Sequence, residues 1–129
     1  MLKILGRDTS SNVMKVMWAC AELGLEFERA DIGGTHGGND TLKFLAMNPN
    51  GLVPVLIDDG FVNWESNSCV RYLAAKHDLG GLFPEDIQTR AVTERWMDWQ
   101  LTIVSPAMIP VFRGVIRTLP EDRDMDLIR

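Results

Sequence analysis

An acid followed by a hydroxyl on the opening turn of a helix can hold both charges of an amino acid. Glu65 and Ser66 form such a pair in Trp64-Glu65-Ser66-Asn67-Ser68-Cys69-Val70-Arg71-Tyr72-Leu73. The first turn of a helix presents free N–H groups and a positive dipole end, which together with the Ser66 hydroxyl suit a carboxylate. The Glu65 carboxylate faces an ammonium. Upstream, Asn48-Pro49-Asn50-Gly51-Leu52-Val53-Pro54-Val55-Leu56 couples a turn to a proline at the mouth of a strand. A proline there exposes backbone groups that a strand interior would pair. The two runs together suit a small peptide carrying an amine and carboxylates. Taken by themselves, Pro54 also reads as a trans proline starting an edge strand, and Glu65-Ser66 as a plain helix cap.

These residues need a scaffold, and the hydrophobic pattern supplies one. Residues 2–5 read as a short buried strand ending at Gly6. Asp8-Thr9-Ser10-Ser11-Asn12 is a loop dense in N-cap residues. A helix follows it, because Val13, Val16, Met17, Cys20 and Leu23 fall at helical spacing before Gly24. Residues 26–32 alternate as a half-exposed strand does. A glycine-rich stretch over 33–39 and a short helix over 42–47 lead to Pro49. Strands are expected at 54–57 and 61–64 around the turn Asp58-Asp59-Gly60, followed by a helix over 65–77. The order β-α-β, helix, β-β-α implies a mixed four-stranded sheet with helices on its faces, an α/β fold.

Residues 78–84 mark a boundary, which gives domains at 1–79 and 85–129 joined by a linker at 80–84. Past it the chain reads as all helical. Val92, Trp96, Trp99 and Ile103 form an apolar stripe that needs a partner surface. Pro106 and Pro110 are expected to kink or end this helix, and Pro120-Glu121-Asp122 to start another.

The totals narrow the function classes. The 129 residues, 46% hydrophobic and 24% charged, are globular in composition, with no run long enough to span a bilayer. Arg7 and Asp8 follow Met1 too closely for a signal peptide. A net charge of −5 without a basic run argues against nucleic acid as the main partner. Cys20 and Cys69 lie in helical patterns rather than a C-x-x-C or metal-spaced cluster, so buried free thiols and a cytoplasmic setting are expected, with no metal.

The motifs G-L-V-P-V-L and W-E-S-N-S-C-V-R-Y-L, with S-S-N-V-x-K-V upstream, resemble the soluble glutathione transferases of bacterial theta, beta and nu type. Residues 1 to about 79 resemble the family's whole thioredoxin-like domain, and 85–129 the opening of its helical domain. The resemblance implies that Pro54 is the cis-proline of that fold. Val53 would then offer its backbone N–H and C=O to the cysteinyl residue of glutathione, while Glu65 and Ser66 hold the γ-glutamyl end. It places Ser10 at the thiol-activating position. A thiol of pKa about 8.5 is only a few per cent ionised at neutral pH, so a hydroxyl donor beside a helix N-terminus raises the thiolate fraction. Ser11 and Asn12 compete for that role, because the nu-type arrangement uses a threonine and an asparagine there.

Where many relatives carry lysine or arginine before the Val-Pro, this chain has Leu52, so the usual cation for the glycyl carboxylate is replaced. His36, Asn39 and Lys43 are candidate substitutes, and each also reads as part of a solvated loop. Asp98 lies where some classes reach across a dimer, and His77 is a cation-capable helix end. The resemblance implies conjugation of glutathione, as co-substrate, to a small hydrophobic electrophile by a homodimer. It also makes the chain look like a fragment of a longer product, because the electrophile site of the family lies mostly on the helical domain. Glutathione-dependent reduction of disulfides or peroxides is one alternative. A non-catalytic binding module on the same fold is another.

Overall fold

The computed structural model describes residues 1–128 and divides into two compact units, Met1–Glu85 and Asp86–Arg129. In the first unit, β1 (Leu2–Leu5), α1 (Ser11–Glu22), β2 (Glu28–Ala30), α2 (Leu42–Met47), β3 (Val55–Asp58), β4 (Phe61–Trp64) and α3 (Ser66–His77) follow in that order. The sheet order is β2-β1-β3-β4, with β1 and β2 parallel and the other two pairings antiparallel. This is the mixed four-stranded α/β sheet expected from the pattern, in the thioredoxin-like arrangement that the family resemblance implies.

Strand alternation sorts the core into two layers. Leu2, Ile4 and Leu56 point to one face, where Val13, Val16 and Cys20 of α1 and Cys69 and Leu73 of α3 cover them. Leu5 and Val55 point to the other, against Phe44 of α2. Both cysteines are buried and free. The β3–β4 turn places Asp59 at φ 48° and Gly60 at φ 90°, the two positive values that a tight hairpin of this hand requires.

Asp58, at the end of β3, anchors α3 to the sheet. It is buried and accepts hydrogen bonds from Tyr72 Oη and Lys76 Nζ, both at 2.6 Å. The Lys76 bond, then the Tyr72 bond, hold its carboxyl below the usual range. A carboxyl lowered on folding stabilises the fold above its unfolded pKa, and the benefit is lost as pH falls through the folded value. Asp58→Asn should therefore cost about 1–2 kcal/mol at neutral pH, and the difference from wild type should shrink below about pH 4. Urea titrations at pH 7 and pH 3.5 check this. An equal difference at both pH values contradicts the assignment.

The second unit contains α4 (Ile87–Trp99), a π-helical segment (Gln100–Val104), α5 (Ser105–Val115), a 3₁₀ turn (Pro120–Asp122) and α6 (Met125–Ile128). The sequence pattern expects a kink or an end at the two prolines. The helical path does not end at either proline but runs on through Val115, with Pro106 in the first turn of α5 and Pro110 inside it. A proline ring crowds the carbonyl four residues earlier, which for Pro106 belongs to Thr102. The wider π turn lies across that position and makes room. Pro120-Glu121-Asp122 forms a single 3₁₀ turn rather than the start of an α-helix. Trp96 packs edge-on against Trp99, their ring centres 5.5 Å apart, and both remain about half exposed. Among the described residues, no helix is long and apolar enough to cross a membrane.

Candidate functional site

The sheet topology brings four loops to one end. β1, β2 and β4 finish there and β3 begins there, so residues 6–10, 33–34, 53–54 and 65–66 converge although they are distant in sequence. An open cleft of about 290 Å³ at this end is lined by Asn12, Asn48, Leu52, Val53, Pro54, Glu65 and Ser66. Five of the six expected site residues meet in it. Ser10 is not among the lining residues. It is the buried N-cap of α1, and its Oγ accepts from Val13 N at 3.5 Å.

The Val53–Pro54 peptide bond is cis. Val53 is half-buried and lies outside the β3 ladder, which begins at Val55. Asn48 holds this approach in place: its Nδ2 donates to Leu52 O at 2.9 Å and its Oδ1 accepts from Asn50 N at 3.0 Å. Asn48 is almost fully buried, a structural residue that sequence reasoning passed over as part of a turn.

Across the cleft, α3 opens without a side-chain cap, whereas Ser10, Thr41 and Asp86 cap α1, α2 and α4. The first-turn N–H groups of α3 are thus left for another acceptor. Glu65, at the N-cap, sits at φ 71°, where a side chain is strained by roughly 1–3 kcal/mol. That geometry turns the helix opening toward the cleft. Ser66 is buried, and its Oγ donates to Asn12 Oδ1 at 3.3 Å, tying α3 to α1 at the cleft floor.

Beneath it, Lys15 Nζ donates to the buried Asn67 Oδ1 at 2.8 Å. Burial pushes the Lys15 ammonium below its usual pKa, and the Glu65 carboxylate opposes the shift. Sequence reasoning missed this pair. The available signal was a lysine directly preceding a core valine in α1.

Neither protein thiol is available for chemistry here. Burial pushes Cys20 up to about 11. Burial, and secondarily the Glu65 charge, push Cys69 up to about 12. Burial thus disfavours both thiolates, and neither cysteine is among the residues that line the cleft. The candidate substitutes for the basic side chain before Val53 are not among the cleft-lining residues. Asn39 Nδ2 donates to Gly51 O at 2.9 Å, His36 lies 4.0 Å from Asp31, and Lys43 is exposed on α2. Among the described residues, no cluster of His, Cys, Asp or Glu has metal-binding geometry.

Comparison with known proteins agrees with this geometry. Residues 9–76 match the family model described as glutathione S-transferase, N-terminal domain. The chain is 44% identical over 130 residues to glutathione S-transferase GstB of Escherichia coli K12, covering 99% of this chain and 62% of that one. It is 43% identical to the theta class glutathione S-transferase of Xanthomonas axonopodis pv. citri, solved with glutathione bound. That superposition has a TM-score of 0.93 and covers 98% of this chain and 61% of the other. Glutathione transferase F7 of Populus trichocarpa, at 27% identity, superposes with a TM-score of 0.86 over 99% of this chain and 62% of its own. The chain thus spans less than two thirds of the length of these relatives. With a family match over more than half of its residues, on the thioredoxin-like sheet that carries the cleft, the chain belongs to the glutathione S-transferase family.

Proposed function

We propose that this chain binds glutathione in the Val53–Ser66 cleft and holds its sulfur as a thiolate for attack on a small hydrophobic electrophile. The observation that carries the reading is the uncapped opening of α3, with Glu65 and Ser66 facing a cis Val53–Pro54 bond in one cleft. The γ-glutamyl carboxylate takes the Ser66 hydroxyl and the free N–H groups, and the ammonium takes Glu65. The backbone of Val53 pairs with the cysteinyl amide. Ser10 donates to the sulfur, because its Oγ accepts from Val13 N and its proton remains available. Asn12 offers a second polar contact from the first turn of α1. The reaction joins sulfur to the electrophilic carbon and expels a leaving group, or adds across an activated double bond, so the protein contributes thiolate population and proximity.

The structural relative with glutathione bound supports the choice of peptide. The protonated state of Cys20 and Cys69 favours conjugation over a redox cycle that would need a protein thiolate. Exposed apolar residues of the second unit, Trp96, Ile103 and Phe112 among them, support assembly into a homodimer, which light scattering would test. The two free cysteines favour a reducing, cytoplasmic setting.

Glu65 offers a test of function against stability. Glycine adopts φ 71° without strain, so Glu65→Gly should leave the melting temperature unchanged or higher. The same change removes the partner of the ammonium and should weaken glutathione binding about tenfold. Differential scanning calorimetry and a glutathione titration on one sample read both effects. Lower stability with unaltered affinity would show that Glu65 serves the fold alone.

A further inference from the structure

Arg7 follows β1 at the same end of the sheet, between the glycine-rich loop after β2 and Val53. Its backbone is pinned on two sides: the Arg7 N–H donates to Ile32 O at 2.9 Å, and its carbonyl accepts from Ser10 N at 3.3 Å. Gly6, just before it, donates to Ala30 O at 2.9 Å and accepts from Arg29 Nη1 at 3.2 Å. The side chain then lies along Gly33 and Gly34. A Cβ on Gly33 would stand 2.9 Å from Arg7 Nη1 and 3.4 Å from both Val53 methyls. One on Gly34 would stand 2.8 Å from Nε and 2.9 Å from Cδ. Two glycines with positive φ therefore lie directly against the Arg7 side chain, where a Cβ would push it aside.

The nearby acids are engaged elsewhere. Asp31 accepts from Arg29 Nη1 at 2.5 Å, and Asp8 lies 3.9 Å from Arg29 Nη2. Among the described residues, no hydrogen bond or ion pair occupies the Arg7 guanidinium, although the residue is partly buried. A guanidinium is always charged and carries five donors in a fork matched to a carboxylate. Arg7 does not itself line the cleft, but its guanidinium stands beside Val53, which does, on the β2 side of the sheet end and away from Glu65 and Ser66 in the strand order β2-β1-β3-β4.

We propose that Arg7 is the carboxylate-binding cation of this site, standing in for the basic side chain that Leu52 replaces. This rests on the glutathione reading above. The carboxylate has two possible sources, the glycyl end of glutathione or an acid group on the electrophile, and the chemistry at Arg7 is the same for both.

The test uses the full chain as wild type, Arg7→Gln and Arg7→Lys. Calorimetry compares glutathione with its glycinamide, in which the glycyl carboxylate is replaced by a neutral amide. Initial rates compare 4-chloro-3,5-dinitrobenzoate with its neutral amide. In both, the thiolate attacks the ring carbon and chloride leaves. If the glycyl carboxylate is the ligand, Arg7→Gln should weaken glutathione about ten- to hundredfold and leave the glycinamide unaltered. If the electrophile supplies it, glutathione affinity stays and the preference for the benzoate over the amide falls by a similar factor. In either case Arg7→Lys should recover part of the loss, because charge survives and the fork does not. Arg7→Gln matching wild type in both comparisons overturns the proposal while the glutathione reading stands. Wild-type protein that binds no glutathione overturns both.

Discussion

Ser66→Ala should weaken glutathione binding by about ten- to hundredfold, with a smaller effect on turnover at saturating glutathione. The estimate follows from one hydrogen bond to a charged group, worth about 1.5–3 kcal/mol. Ser66 is buried at the uncapped opening of α3, and its present acceptor is the Asn12 side chain. Asn12 is itself exposed, so water replaces the lost donor and the fold should tolerate the change. The loss belongs in KM for glutathione and in the calorimetric Kd. Unaltered affinity in a folded Ser66→Ala sample means that the carboxylate binds elsewhere.

Ser10→Ala should act on the other parameter. A hydroxyl that donates to a thiolate and not to a thiol lowers the thiol pKa, and removing it raises that value by roughly one to two units. The thiolate fraction at neutral pH, and kcat with an aryl halide, should fall about ten- to hundredfold. The pH–rate profile should move up by the same one to two units, with KM for glutathione little altered. Ser10 is also the N-cap of α1, so alanine should cost about 1 kcal/mol of stability. Ser10→Thr keeps cap and donor and separates the two roles: its rate should stay close to wild type. An unshifted profile in Ser10→Ala transfers thiol activation to Asn12, which lines the cleft from the first turn of α1.

The pattern-based reading recovered elements whose signal is local. The helix at Leu42–Met47 and the strand at Phe61–Trp64 fall where their spacing puts them, and Asp59-Gly60 makes the expected hairpin. β2 is shorter than its alternation suggests, Glu28–Ala30 rather than 26–32, because it is an edge strand that pairs only with β1 over three residues. The π turn at Gln100–Val104 left no periodic trace, since it answers a crowding four residues before Pro106. At the candidate site, Pro54, Glu65 and Ser66 were legible because two short runs of residues mark them. Lys15, Asn48 and Arg7 were not, because each acts through contacts that only the folded sheet end creates. Arg7 in particular reads in the sequence as an ordinary polar residue after a strand. Gly33 and Gly34, against which it lies, are on another loop.

Strain and burial concentrate at the same place. Glu65 takes a backbone conformation that a side chain resists, burial lowers the pKa of the Lys15 ammonium, and α3 alone among the long helices of the first unit is left uncapped. A fold optimised only for stability would relieve each of these. The central claim is that this stored cost serves a bound tripeptide. An ¹H–¹⁵N correlation titration of the full chain with glutathione tests it most directly. Saturable shifts at the amides of Asn12, Val53, Ser66 and Asn67, with the core of the second unit unmoved, are the predicted result. Millimolar glutathione that leaves those four amides in place, in a sample with dispersed native signals, contradicts the claim.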